Sequence, residues 1–308
     1  MLRTTSKTTR LALAFGLWAP TIFGCDIPVF RYALDRWPAD AFRLEAPGSV
    51  LRTEPLATEI RNLTGRSGLN LETSVSTNGA RLFYPSHVRG ADKFAWEGQL
   101  SPEVYGALTD SPARRDLVKR ILRGDSAVWV LVEGGPSAAN EAAASLLENR
   151  LRFLESATGI PRLDPNDPDS RVGPGPELKV QLSLLRLKRS DPSEAAFLSQ
   201  LAGPAGLKSL PADQPFIALV FGRGRVLGAW PNDRLNEEFI EESTRFLLGS
   251  CSCEVKSRNP GWDLLLRVDW DEELKKAGEA RRLASRSPEP ARASLEPETV
   301  VIKPQQKP

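Results

Sequence analysis

The chain has 308 residues, with 41 Lys and Arg against 39 Asp and Glu, 41% hydrophobic residues, three Cys and one His, a globular composition long enough for two domains of ordinary size. A net charge of +2 spread over so many charges of both signs gives no basic footprint for a phosphate backbone, so nucleic acid is excluded as the expected partner. With His87 the only histidine, multi-histidine metal sites are excluded too, and neither a metal nor a cofactor is expected.

In chain order, Arg3, Lys7 and Arg10, with no acid among them, precede a mostly apolar stretch from Leu11 to Gly24 that Pro20 interrupts. A basic start and a short apolar run ending at a small residue read as an export signal over residues 1–24. The run falls short of the ~20 residues that span a bilayer as a helix. Ile22-Phe23-Gly24-Cys25 resembles a bacterial lipobox, from which Phe23 departs. Lipid attachment at Cys25 and simple cleavage near Gly24 or Cys25 both stand as readings, and the expected location is the periplasm or a membrane reached only through that lipid. Three of the basic residues and none of the acids lie in the signal, so the remainder carries a net charge of −1.

Residues 25–124 form the first expected domain. Val29, Phe30, Ala33, Leu34 and Trp37 share a helical face; Phe42 to Ala46 reads as a strand; Leu56, Ile60 and Leu63 mark a second helix. Leu69, Leu71, Thr73 and Val75 alternate as a strand, and Ala80–Tyr84 with Phe94–Gln99 read as a hairpin. Ser101-Pro102 and Ser111-Pro112 each combine a capping hydroxyl with a proline at the first helical position. The predicted order is α-β-α-β-β-β-α.

Residues 125–270 form the second. Val128 to Val132 is an unbroken apolar run suited to a strand buried on both faces. Gly134-Gly135-Pro136 ends it, and Ser137 to Ala157 is a long helix. A loop rich in proline and glycine follows, then a strand over Leu178–Leu187 and a short helix opened by Asp191-Pro192. Phe216–Phe221, the turn Gly222-Arg223-Gly224 and Arg225–Trp230 make a hairpin, with an amphipathic helix over Asn236–Leu248 behind it. Trp262 to Trp270 adds one more strand. Residues 271–308 read as a charged, proline-rich tail, in which Asp271 to Arg286 can form a charged helix and Ser287 to Pro308 is disordered.

The order β-α-β-α-β-β-α over residues 126–249, with Pro215 directly before the strand of a P-F-I-A-L-V-F-G-R-G-R-V-L-G stretch, resembles the thioredoxin fold and its proline-strand-turn-strand closure. The resemblance implies an α/β protein of two tandem thioredoxin-like domains, the first degenerate and lacking a recognisable first strand. It also implies a cis-proline role for Pro215. Where that family carries C-x-x-C, after the first strand, this chain has Gly134-Gly135-Pro136-Ser137, so both redox cysteines are absent. Cys25 to Trp37 is similar to the mature N-termini of exported bacterial proteins, which points to a location and to no activity.

The three cysteines are the remaining chemistry. Cys25 opens a C-x-x-P element ahead of a helix, where the macrodipole favours a thiolate while Asp26 opposes it; Cys25 is thus a candidate catalytic thiol as well as the lipidation candidate. Cys251 and Cys253 follow a helix C-terminus, a poor place for an attacking thiol, and are disulfide candidates that close a small ring or leave one partner for Cys25. Two functions follow. One is an exported envelope protein whose redox-degenerate domains bind or assemble with a protein partner. The other is a thiol-disulfide oxidoreductase in which Cys25 works with Cys251 and Cys253.

Overall fold

A computed structural model describes residues 25–65, 68–88, 94–164, 166–251 and 255–286; the expected signal (1–24), Cys253 and the expected disordered end (287–308) lie outside the described residues. The protein is α/β, with a five-stranded and a four-stranded mixed sheet flanked by helices and a two-stranded ribbon beside them.

The five-stranded sheet is built on β6 (Ala127–Glu133), whose apolar run is buried along both faces. β7 (Leu182–Lys188) pairs with it in parallel and β8 (Phe216–Phe221) antiparallel on the other side; β9 (Arg225–Pro231) and the short β11 (Trp262–Asp263) continue outward. Alternate residues of β6 enter separate cores. Trp129 and Leu131 pack with Ile217 and Leu219 under α6 (Ser137–Ala157), α8 (Glu237–Leu248) and α1 (Val29–Arg36). Val128, Val130 and Val132 pack on the opposite face with α5 (Pro112–Arg123), α7 (Ala195–Ala202) and α9 (Trp270–Arg286). This three-layer arrangement explains why β6 needs no polar residue before Glu133.

The four-stranded sheet has the order β3-β2-β4-β5, from β2 (Phe42–Ala46), β3 (Leu71–Val75), β4 (Ala80–Phe83) and β5 (Phe94–Gly98). β2 pairs in parallel with β3 and antiparallel with β4, which pairs antiparallel with β5. The two sheets therefore share one strand order and one set of directions. The helix pair α2 (Gly48–Leu51) and α3 (Leu56–Gly65) makes the first crossover, but β3 passes to β4 through four residues with no helix between them. One face is covered: Phe42, Leu44, Leu71 and Leu82 pack with Leu56, Ile60, Tyr105 and Leu108 of α3 and α4 (Pro102–Thr109).

Several sequence expectations are met locally. Ser101 and Ser111 accept hydrogen bonds from the Val104 and Arg114 backbone N–H groups as N-caps, and Asp191 caps the turn into α7; the structure adds a cap at Asn236, which accepts from the Phe239 N–H. Others are corrected. The expected strand over Leu178–Leu187 begins only at Leu182, because Leu178 and Val180 pack against the core without joining the ladder. After β11 the Trp262–Trp270 stretch leaves the sheet: Leu264 and Leu266 enter the core under β6 while Leu265 enters the core of the other sheet. Helices α1 and α5, expected within 25–124, pack on the five-stranded sheet. What the four-stranded unit lacks is the helix between its second and third strands; its first strand is β2.

Candidate functional site

At the C-terminal ends of the parallel strands β6 and β7, the Gly134–Ser137 turn packs on backbone on one side and borders an open cavity of about 530 Å³, with Asn140, Lys188 and Arg189, on the other. Gly135 has φ +67, and a Cβ there would lie 1.7 Å from the Asp213 carbonyl oxygen; one at Gly134 would lie 2.9 Å from that of Gln214. Glycine is required because the 212–214 loop rests directly on this turn. The Gly134 N–H donates to Asn140 Oδ1 at 3.1 Å, so the turn is tied to the first turns of α6. No sulfur lies in this Gly134–Ser137 turn. Pro215, next to it, precedes β8 through a trans bond: the cis peptide bond among the described residues is Glu54–Pro55. The cis-proline expectation at Pro215 is thereby corrected, trans being the lower-energy isomer for an X–Pro bond that nothing forces otherwise.

The backbones of two of the cysteines meet elsewhere. β1 (Cys25–Pro28) pairs antiparallel with β10 (Ser250–Cys251), and in that register Cys25 and Cys251 are direct partners. The Val29 N–H donates to the Gly249 carbonyl at 3.0 Å, continuing the pairing. Ile27, Val29 and Phe30, just beyond Cys25, are buried in the five-stranded unit's core. Cys25 belongs to a ribbon that closes the N-terminal segment onto the end of α8.

Sequence reasoning missed two charged clusters, because each joins distant segments. In the first, Asp263 accepts from Arg225 at 3.1 Å and pairs with Lys256, which also meets Asp40 at 2.8 Å; His87 Nε2 lies 3.1 Å from Asp40. Arg225, which hairpin position alone would make a solvated turn residue, is buried and also donates to the carbonyls of Asn259, Pro260 and Gly261. Burial holds the Asp263 carboxyl above the usual carboxylate range, with Lys256 opposing and Asp40 adding. The cluster ties β9 and β11 to the approach to β2. His87 serves as its outer member.

The second cluster lines a cleft along α4, α5 and residues 267–269, in two cavities of about 360 and 530 Å³ that share Asp110, Arg115 and Arg267. Arg114, 2% exposed, donates from Nε to the Leu265 carbonyl at 3.2 Å and stacks over Phe197. Its Nη2 has no hydrogen-bond partner within the protein, and neither has the buried Tyr105 hydroxyl. Burial pushes the Arg114 guanidinium down to about 10, against Glu194 and Asp110, so it stays a cation at neutral pH. Burial, and then Glu59, pushes the Tyr105 hydroxyl up to about 12, with Arg267 opposing. The walls offer donors and cations, while Asp110 is already engaged with Arg115 and Glu273 with Lys276. With no nucleophile paired to a base, the arrangement suits binding of an acceptor group more than bond-breaking.

No protein-family model and no curated protein sequence matches this chain. Among the described residues, no helix is long and apolar enough to cross a membrane.

Proposed function

We propose that the chain is an exported cell-envelope protein in which two redox-degenerate thioredoxin-like units serve a binding or assembly role towards a protein partner. The strand order shared by the two sheets, a central strand with its parallel neighbour on one side and an antiparallel pair on the other, supports the family reading. The observation that carries the functional reading is the Gly134–Ser137 turn: where a redox-active relative would present its attacking thiol, this chain has glycines packed on the 212–214 backbone. The exposed cations Lys119 and Arg267 at the mouth of the cleft supply a surface for a partner's acceptor groups. Location is the periplasm, or the membrane surface where Cys25 carries lipid.

The register of Cys25 with Cys251 favours a second reading, thiol-disulfide exchange by Cys25 with the Cys251 and Cys253 pair. An insulin-reduction assay with dithiothreitol separates the two. The binding reading expects wild type and Cys25→Ser both to match the rate without protein; turnover by wild type that Cys25→Ser abolishes would overturn it in favour of exchange.

A further inference from the structure

The alternatives for Cys25 can be narrowed by the backbone alone. Residues directly opposite one another in an antiparallel pair have Cα atoms about 4.5–5.5 Å apart. Disulfides join Cα atoms usually 4.4–6.8 Å apart. Cys25 and Cys251 are such opposite residues, so the fold already holds their backbones at bonding separation, with 225 residues of intervening chain between them in sequence.

The ribbon itself gives this pairing something to do. β1 has four residues and β10 has two, and the register between Cys25 and Pro28 is irregular. An isolated two-stranded ribbon of this size is marginal in water. Yet it begins the segment that delivers Ile27, Val29, Phe30 and Tyr32 to a core shared with Trp129, Ile217 and Ile240. Arg31, 1% exposed, donates from the same helix to the Gly173 and Pro176 carbonyls at 2.9 and 2.7 Å and so holds the proline-rich loop. If the ribbon frays, it frees a segment on which a large part of the core depends.

We propose that Cys25 and Cys251 form a structural disulfide that closes the N-terminal segment onto the end of α8, leaving Cys253 as the unpaired thiol. It rests on the proposed export only for the oxidising compartment in which such bonds persist. In chemical terms, one thiolate attacks an external disulfide, that of glutathione or of a protein oxidant, and forms a mixed disulfide. The other thiolate then displaces the oxidant's second sulfur. Two protein thiols lose two electrons and two protons, and the oxidant's disulfide becomes two thiols. A Cys25 sulfur held in this bond is unavailable both for a lipid thioether and as an attacking thiol.

The test is disulfide mapping of the full chain. Protein from an exporting host is alkylated without reduction, digested and analysed by mass spectrometry; in parallel, purified chain is refolded in a glutathione redox buffer and mapped in the same way. The expected result is a Cys25–Cys251 linked peptide and alkylation at Cys253 alone, a pattern that Cys253→Ser preserves and Cys25→Ser replaces with an alkylated Cys251. Reductant should lower the thermal midpoint of wild type and leave that of Cys25→Ser unmoved. A Cys251–Cys253 link, three alkylated cysteines in the glutathione buffer, or a diacylglyceryl thioether on Cys25 would each overturn the proposal. A linked Cys25–Cys251 pair in glutathione buffer beside fully reduced protein from cells would uphold the pairing and count against export.

Discussion

The two sheets repeat one strand order but differ in how much of each is covered. In the five-stranded sheet every residue of β8 is buried and β6 is buried up to Glu133, since helices lie on both faces. In the four-stranded sheet β2 alternates between buried and more exposed residues, and β3 has Leu71 alone buried. The missing helix between β3 and β4 accounts for the difference: with a four-residue link there is no element to cover the second face, so that face carries Arg43, Glu45, Arg81 and Glu97 instead, with the Arg43 and Arg81 guanidinium groups lying over the Phe83 and Phe94 rings. The same topology thus yields a three-layer and a two-layer unit according to crossover length.

The largest effect expected from disturbing this arrangement lies at the join between the units. Asp263→Ala leaves Arg225 and Lys256 without the carboxylate they share, and removal of one partner from a buried ion pair costs about 3–5 kcal/mol. Urea unfolding should show this loss; a cost under about 1 kcal/mol would mean that the units do not depend on the cluster. Next come neighbouring truncations along each central strand. Val130→Ala and Leu131→Ala should both destabilise, by roughly 1–4 kcal/mol, since each fills a different core. In β2, Leu44→Ala should cost a similar amount while Arg43→Ala stays within about 0.5 kcal/mol. Equal costs at Arg43 and Leu44 would show that the outer face is covered after all.

The smallest effect is expected at Tyr105. Its hydroxyl is buried without a protein partner, so Tyr105→Phe should change stability at neutral pH by no more than about 1 kcal/mol, in either direction. At alkaline pH the two proteins should diverge. The folded state holds the Tyr105 proton up to about 12 rather than the ordinary 10.0, so the stability this contributes is complete below pH 10 and is lost as pH rises towards 12. Wild type should therefore lose up to about 2 kcal/mol relative to Tyr105→Phe over that window. Denaturation midpoints at pH 9, 10 and 11 check the sign, and parallel curves for the two proteins would refute it.

Much of the local structure was legible because it is encoded by neighbours. The apolar run at Val128–Val132, the Ser-Pro helix starts, the Asp191 cap and the Gly222–Gly224 turn each act over a few residues, and each forms as expected. The sites were less legible. Arg225 read only as the first residue of a hairpin strand and Asp40 carried no signal, because their partners Asp263 and Lys256 lie far along the chain. The buried Arg114 is explained by distant partners, the Phe197 ring beneath it and the Leu265 carbonyl, which has no ladder partner and takes a guanidinium N–H instead.

By itself, then, the sequence determined most of the longer helices and strands, that β6 would be covered on both faces, and that the Gly134–Ser137 turn holds no thiol. Tertiary structure alone decided that α1 and α5 cover the five-stranded sheet, that Leu264–Leu266 threads between two cores, and that Cys25 stands opposite Cys251. The physical reason is range. Periodicity and capping are satisfied within a turn or two of chain, whereas an amphipathic helix states only that it has an apolar face, and the sheet that takes it is chosen by which burial the whole chain can complete.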